Sequence, residues 1–170
     1  MSGTVFDRIC QLLDSCETHY KILLHASCRT SAESALARAK AGFRNVVGAK
    51  ALLMRIALTN SRSKFVIVVL PGPRRLDSSA LKKELPEFKK HRFASVEELA
   101  ELCEVCPGAL PPFGQTIFPR IAELFVDESL TTVDTIAFNA GSLEKSIVMA
   151  SDDYIRVARP AAIVKISLAD

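Results

Sequence analysis

The stretch GAKALLMRIAL (residues 48–58) decides how the sheet of this protein is read. Side chains alternate along a β-strand with period two. Lys50, Leu52, Met54, Ile56 and Leu58 then share one face, and Ala49, Ala51, Leu53, Arg55 and Ala57 share the other. A lysine therefore projects onto the same face as four large hydrophobes. Such a side chain costs several kcal/mol unless it meets an anion or loses its proton. A third outcome is open, in which the aliphatic stem lies on the core and the ammonium reaches solvent.

Working outward, TNSRS (59–63) reads as a turn and KFVIVVL (64–70) as a second strand. The second strand does not alternate, which is the pattern of a strand buried on both faces at the centre of a sheet. The two form a hairpin. Upstream, Val5, Ile9, Leu12 and Leu13 have helical spacing within residues 4–15, and YKILLH (20–25) is a short strand. Thr30 and Glu33 stand in capping-box register for a helix over about 31–40, ending before Gly42. Downstream, PGPRRL breaks the strand and Asp77 caps a short helix over about 78–85. HRFA (91–94) is a short strand, and Ser95 with Glu98 starts a helix to about Cys103. CPGALPPFGQTIFP (106–119) is a Pro/Gly loop, followed by the short strands ELFVD, TIAFNAG and KSIVMA. A helix begins at Ser151, with Asp152 and Asp153 favourable in its first turn, and a last strand covers about 161–168. No repeat or long linker divides the chain, so residues 1–170 are expected to form one mixed α/β (α+β) domain.

Composition narrows the setting. The N-terminus lacks a cationic lead and a long apolar core, and no apolar run approaches the roughly 18 residues that span a bilayer. Five cysteines without a secretory signal point to reduced thiols and a cytoplasmic location. The net charge of +3 does not by itself identify a nucleic-acid binder. Between Arg74 and Arg92, however, seven basic side chains stand against three acidic ones. That segment is either a patch that attracts phosphate backbones or a solvated helix face with its turns.

Familiar catalytic signatures are absent: there is no G-x-S-x-G, G-x-G-x-x-G, P-loop or H-E-x-x-H. His19 and His91 read as ordinary surface or partly buried histidines. His25 with Cys28, and Cys103 with Cys106, have spacings that can supply zinc ligands, but free cysteines also pack as small hydrophobes. In PGALPPFG (107–114), Gly108 and Gly114 allow close backbone approach, and the prolines stiffen it. Such a loop can present N–H groups to a carbonyl oxygen or its oxyanion, or it is simply a proline-rich turn.

His25, RTSAES, GAKALL, FVIVVLPGPRRLD, RFASVEEL, PGALPPFG, LFVDESL, FNAGSLEKSI and SDDY occur in an order that resembles the YbaK/prolyl-tRNA synthetase-associated domain family, from about residue 17 to 166. The resemblance implies a mixed, partly closed β-sheet flanked by helices, with a pocket between sheet and loops. It implies hydrolysis of the ester that joins a wrong amino acid to the terminal ribose of tRNA, without cofactor or metal. The aminoacylated 3′ end of tRNA is then the partner, with an aminoacyl-tRNA synthetase as a second one. A module that binds tRNA or a synthetase without catalysis is the alternative.

Carried onto this chain, the resemblance makes Lys50 a clamp for the terminal phosphate. Gly108, Ala109, Leu110 and Pro112, with Phe113 beside them, become the loop that holds the aminoacyl carbonyl and positions water. Asn139 and Gly141 line the other side, and His25 lies at the pocket edge. Many members carry Thr or Asn after the lysine, where this chain has Ala51. RTS followed by GAKALL looks most like the free-standing branch that deacylates Ser- and Thr-tRNA, ahead of the alanine- and cysteine-removing branches. An insertion-domain role is not expected, because no synthetase catalytic or anticodon domain accompanies these motifs.

Overall fold

The hairpin is the centre of the molecule. In the computed structural model, which describes residues 2–169, strand β2 spans Val47–Leu58 and β3 spans Ser63–Pro71. They pair antiparallel in an unbroken register from Ala49 opposite Pro71 to Ala57 opposite Ser63. Around them run α1 (Val5–Ser15), β1 (Tyr20–Leu24), α2 (Ser31–Lys40), β4 (Arg75–Leu76), α3 (Ser78–Glu84), β5 (Phe88–Phe93) and α4 (Val96–Cys103). Then follow β6 (Glu123–Asp127), a 3-10 turn (Glu128–Thr132), β7 (Thr135–Asn139), β8 (Lys145–Ala150), α5 (Ser151–Ala158), β9 (Ala162–Val164) and β10 (Ser167–Leu168). The large sheet has the order β1-β8-β7-β2-β3-β6-β9, with β5 also on β2, and mixes parallel with antiparallel pairs. Among the described residues, no helix is long and apolar enough to cross a membrane.

Capping explains where the helices start. Thr4, Thr30 and Ser95 each accept the N–H three residues on, and Asp7, Glu33 and Glu98 answer with their carboxylates. Asp77 accepts the N–H groups of Ser79 and Ala80. The hairpin separates two cores. Ala49 and Leu53 face one side with Ile67, Val69, Phe113, Phe138 and Tyr154. Met54, Ile56 and Leu58 face the other with Val66, Val68, Leu70, Leu81, Phe88 and Ile166. As the unalternating pattern of β3 requires, Val66 to Leu70 are fully buried.

The short strand β4 lies in PGPRRL, read from the sequence only as a break, and β1 and β7 end at Leu24 and Asn139, short of the stretches YKILLH and TIAFNAG. Two further strands differ more. The strand expected at 91–94 begins earlier, at Phe88, because a register shift between Ala57 and Leu58 lets the buried Phe88 pair with Leu58. The strand expected over 161–168 is two: β9 joins β6, while β10 pairs with β4 in a separate ribbon. The break falls at Ile166. Its side chain is buried, its N–H donates to Asp127 Oδ2 at 3.0 Å, and its carbonyl accepts from Asp77 N at 2.8 Å. A residue committed to these bonds cannot continue the β6 ladder.

Asp127 is the polar pin of that corner, accepting also from the backbone and hydroxyl of Ser129. Burial alone would raise its pKa, but the bonds from Ser129 and Ile166 outweigh it and hold the carboxyl below its usual 3.8. Asp127→Ala should lower unfolding stability by about 1.5–3 kcal/mol in urea titrations at pH 7. The contribution is present above the unfolded-state pKa and lost as pH falls through the lower folded one. The difference between wild type and variant should therefore shrink below about pH 4.

Candidate functional site

Where β2 passes from β7 to β5, its first residues border a cavity of about 200 Å³. Lys50 lines it, as do Gly108 and Leu110 from the Pro/Gly loop, Asn139 from the end of β7, and Ser31, Ser34 and Arg38 from α2. The sequence candidates Lys50, Gly108, Leu110 and Asn139 thus meet at one place. Among the described residues, no histidine and no carboxylate lines it.

Lys50 answers the question its strand face raises. Its ammonium donates to the carbonyls of Gly72, at 3.0 Å, and of Arg74. Backbone oxygens of the turn after β3 hold the charge at the cavity wall, an outcome that strand periodicity alone does not contain. The stem keeps the face of Leu52 and Met54, as the alternation requires.

The loop wall is tied to the sheet by backbone. Asn139 Nδ2 donates to Gly108 O at 2.9 Å and to Cys28 O at 3.4 Å, and Gly141 N donates to Ala109 O at 3.0 Å. Gly108 has φ +89°, and a Cβ there would stand 2.9 Å from Arg29 O. Only glycine fits. The N–H groups of Gly108 and Leu110 make no hydrogen bond among the described residues. Other expected site residues act from behind this wall. Pro112 O accepts from the buried Tyr154 hydroxyl at 2.7 Å, and Phe113 packs edge-on against Phe138 and Tyr154 in the core. His25 Nε2 lies 2.8 Å from Ser146 Oγ, which in turn donates to Asn139 Oδ1 at 3.2 Å. Ala109, Pro112, Phe113, Gly141 and His25 therefore support the cavity without lining it.

Arg38 is the residue sequence reasoning missed. It is 5% exposed, and its Nε has no hydrogen-bond partner among the described residues. Its terminal nitrogen reaches only Asn139 Oδ1 at 3.5 Å and Ser146 Oγ at 3.4 Å, and no described carboxylate forms an ion pair with it. Burial pushes its pKa down to about 10, so it stays charged at neutral pH. Gly48 leaves it room, since a Cβ there would lie 3.0 Å from its guanidinium. The signal was present in the sequence: Ser31, Ser34 and Arg38 stand three and four residues apart on one face of a helix otherwise rich in alanine.

The cysteine spacings do not converge. Cys28 donates to Ala26 O, Cys106 is exposed, and burial pushes the Cys103 thiol up to about 12. Among the described residues, no three His, Cys, Asp or Glu side chains are grouped to hold a metal. The basic segment does not form one patch. Lys89, Lys90 and Arg92 share a surface groove with Arg55 and Arg62, Lys82 and Lys83 stand on α3, and Arg74 and Arg75 lie at the β4–β10 ribbon, where Arg74 donates to Ser167 Oγ. Arg92 forms a two-pronged pair with Glu98, which draws that carboxyl down to about 2.

The family model of the aminoacyl-tRNA editing domain matches residues 25–157. The multifunctional Ser/Thr-tRNA deacylase ProXp-y of Escherichia coli (strain K12) is 35% identical over 114 residues, which cover 66% of this chain and 65% of that protein. The match thus spans just under two thirds of that relative's length. Two crystal structures share the fold, each at a TM-score of 0.77. One is the hypothetical protein APE2540, at 22% identity over 95% of this chain and 99% of that one. The other is a proposed trans-editing enzyme for prolyl tRNA synthetase, at 18% identity over 99% of this chain and 100% of that one.

Gly108→Ala tests the loop. The strained φ and the contact with Arg29 O should lower stability by about 1–3 kcal/mol and move the amide signals of Ala109 and Gly141. An unchanged urea midpoint with unchanged signals would show that the loop does not depend on this glycine.

Proposed function

The chain belongs to the aminoacyl-tRNA editing domain family, and on that premise we propose that it is a single-domain, trans-acting hydrolase of the ester in mischarged tRNA. The observation that carries this reading is Arg38. A cation buried to this degree with no carboxylate partner among the described residues is costly unless an anion reaches it. A second cation, Lys50, stands on the same cavity wall. An aminoacyl ester at the end of a nucleic acid brings a phosphate and, during hydrolysis, an oxyanion.

The roles divide accordingly. Lys50 holds the phosphate of the terminal nucleotide. Arg38 and the N–H groups of Gly108 and Leu110 face the ester carbonyl, where negative charge develops as water adds. The tetrahedral intermediate then expels the ribose 3′ oxygen, which takes up the proton. With no histidine or carboxylate among the described residues that line the cavity, the proton from water passes through the vicinal ribose hydroxyl of the substrate. An ester is activated enough for this, and positioning supplies much of the remaining rate. The partner is the aminoacylated 3′ end of tRNA, and a synthetase is a second partner of the same reading.

The cavity is small and its lining includes Ser31, Ser34 and Asn139, which suits a hydroxyl-bearing amino acid. We therefore place serine and threonine ahead of alanine and cysteine. A site that hydrogen-bonds a substrate hydroxyl rejects the analogue lacking it far more strongly than size alone would.

With Ser, Thr, Ala and Cys esters on several tRNAs, the Ser and Thr esters should be cleaved at least about tenfold faster than Ala. Equal rates would remove the hydroxyl preference, and binding without turnover would favour a non-catalytic module. Lys50→Ala and Arg38→Met should each lower deacylation kcat/KM by about 100-fold while the circular dichroism spectrum is retained. Full activity in either variant would overturn the role given to that residue.

A further inference from the structure

The pairing of β2 leaves part of one edge open. Gly48 O accepts from Gly72 N, and Leu58 N donates to Arg62 O, so even-numbered residues of β2 turn their N–H and C=O groups toward β3. Odd-numbered residues turn theirs to the opposite edge. There β7 covers Val47 and Gly48, and β5 covers the strand from Met54 onward, with Leu53 O accepting from Ala94 N at 2.9 Å. Between these two partners, the N–H and C=O of Ala51 and the N–H of Leu53 meet no hydrogen-bond partner among the described residues. Backbone groups away from bulk water are rarely left so.

Ala51 lines the reaction cavity and also an adjoining recess of about 210 Å³, whose wall includes Leu53, Phe93, Leu99 and Leu110. Phe93 is 59% exposed although it is a large aromatic. The register places it opposite Met54, on the face of β2 that carries Leu52 and Lys50. A flat apolar ring thus stands beside an open acceptor and two open donors, one strand residue from Lys50. Adenine presents an amino donor next to a ring-nitrogen acceptor and two faces that stack on aromatics. An added peptide strand would need a longer open edge than these few groups provide.

We propose that this recess seats the terminal adenine of the tRNA, with Phe93 stacked on the base and the backbone of Ala51 and Leu53 pairing with its edge. The proposal rests on the reading of the chain as acting on aminoacylated tRNA, whose last nucleoside is adenosine. It makes β2 a ruler: the terminal phosphate lies at Lys50, the base lies beside Ala51 and Leu53, and the ester faces Arg38 and Gly108 across the cavity.

The test is a titration of the ¹⁵N-labelled full chain with the uncharged trinucleotide CpCpA, and with the same trinucleotide ending in purine riboside, which lacks the amino group. CpCpA should shift the Ala51 and Leu53 amides, and the purine riboside form should bind about tenfold more weakly. Phe93→Ala, a change at an exposed position, should weaken CpCpA binding by about 5- to 100-fold. Equal affinity for the two trinucleotides, shifts confined to other amides, or no binding at ~1 mM would each overturn the proposal. No ester takes part in this titration. Loss of deacylation with the amide shifts intact would remove the hydrolase reading alone, and active deacylation with unmoved amides would remove only the base seat.

Discussion

Everything around the cavity depends on the ladder between β2 and β3. A slip of one residue would send Lys50 to the opposite face and exchange the two cores. The register resists this because each face of the hairpin is buried against a different set of side chains, Leu53 with Ile67 and Val69 on one side, Met54 and Ile56 with Val68 and Leu70 on the other. Each such side chain contributes about 1.5–3 kcal/mol when fully buried, so a slipped register would forfeit many of them at once. With the ladder in place, the turn after β3 returns to Lys50, and its carbonyls receive the ammonium.

The second organising feature is a polar seam through an apolar region. From His25 through Ser146 and Asn139 to Gly108 O, side chains connect β1, β8 and β7 to the Pro/Gly loop. Arg38 touches this seam from α2. Such a network is stable when its members are satisfied and costly when they are not. Here Ser146 and Asn139 are paired, and Arg38 only weakly so. On the proposed reading, the uncompensated charge sits where the reacting anion arrives.

Much of the fold was legible. The capping boxes at Thr30 and Ser95, the alternation in β2 and the unbroken apolar run of β3 are local signals, and each marks its element in the structure. The single strand expected over 161–168 is the counterexample. Its sequence is apolar enough for one strand, yet Asp127, 39 residues away, takes the N–H of Ile166 and divides it. The candidate cavity was legible in part. Lys50, Gly108, Leu110 and Asn139 came from the ordered motifs and do line the cavity. Arg38 did not, because a basic residue near the end of a helix has an ordinary local explanation as a partner of the helix dipole.

By itself, then, the chain determined most of its helices and longer strands and the face on which Lys50 stands. These follow from periodicity and capping, which act between neighbours in the sequence. Tertiary structure alone decided what Lys50 holds, which helix face carries a buried cation, and which stretch of the β2 edge stays open between β7 and β5. Those outcomes depend on partners tens of residues distant, and no local pattern encodes which backbone groups will go unpaired when three strands compete for one.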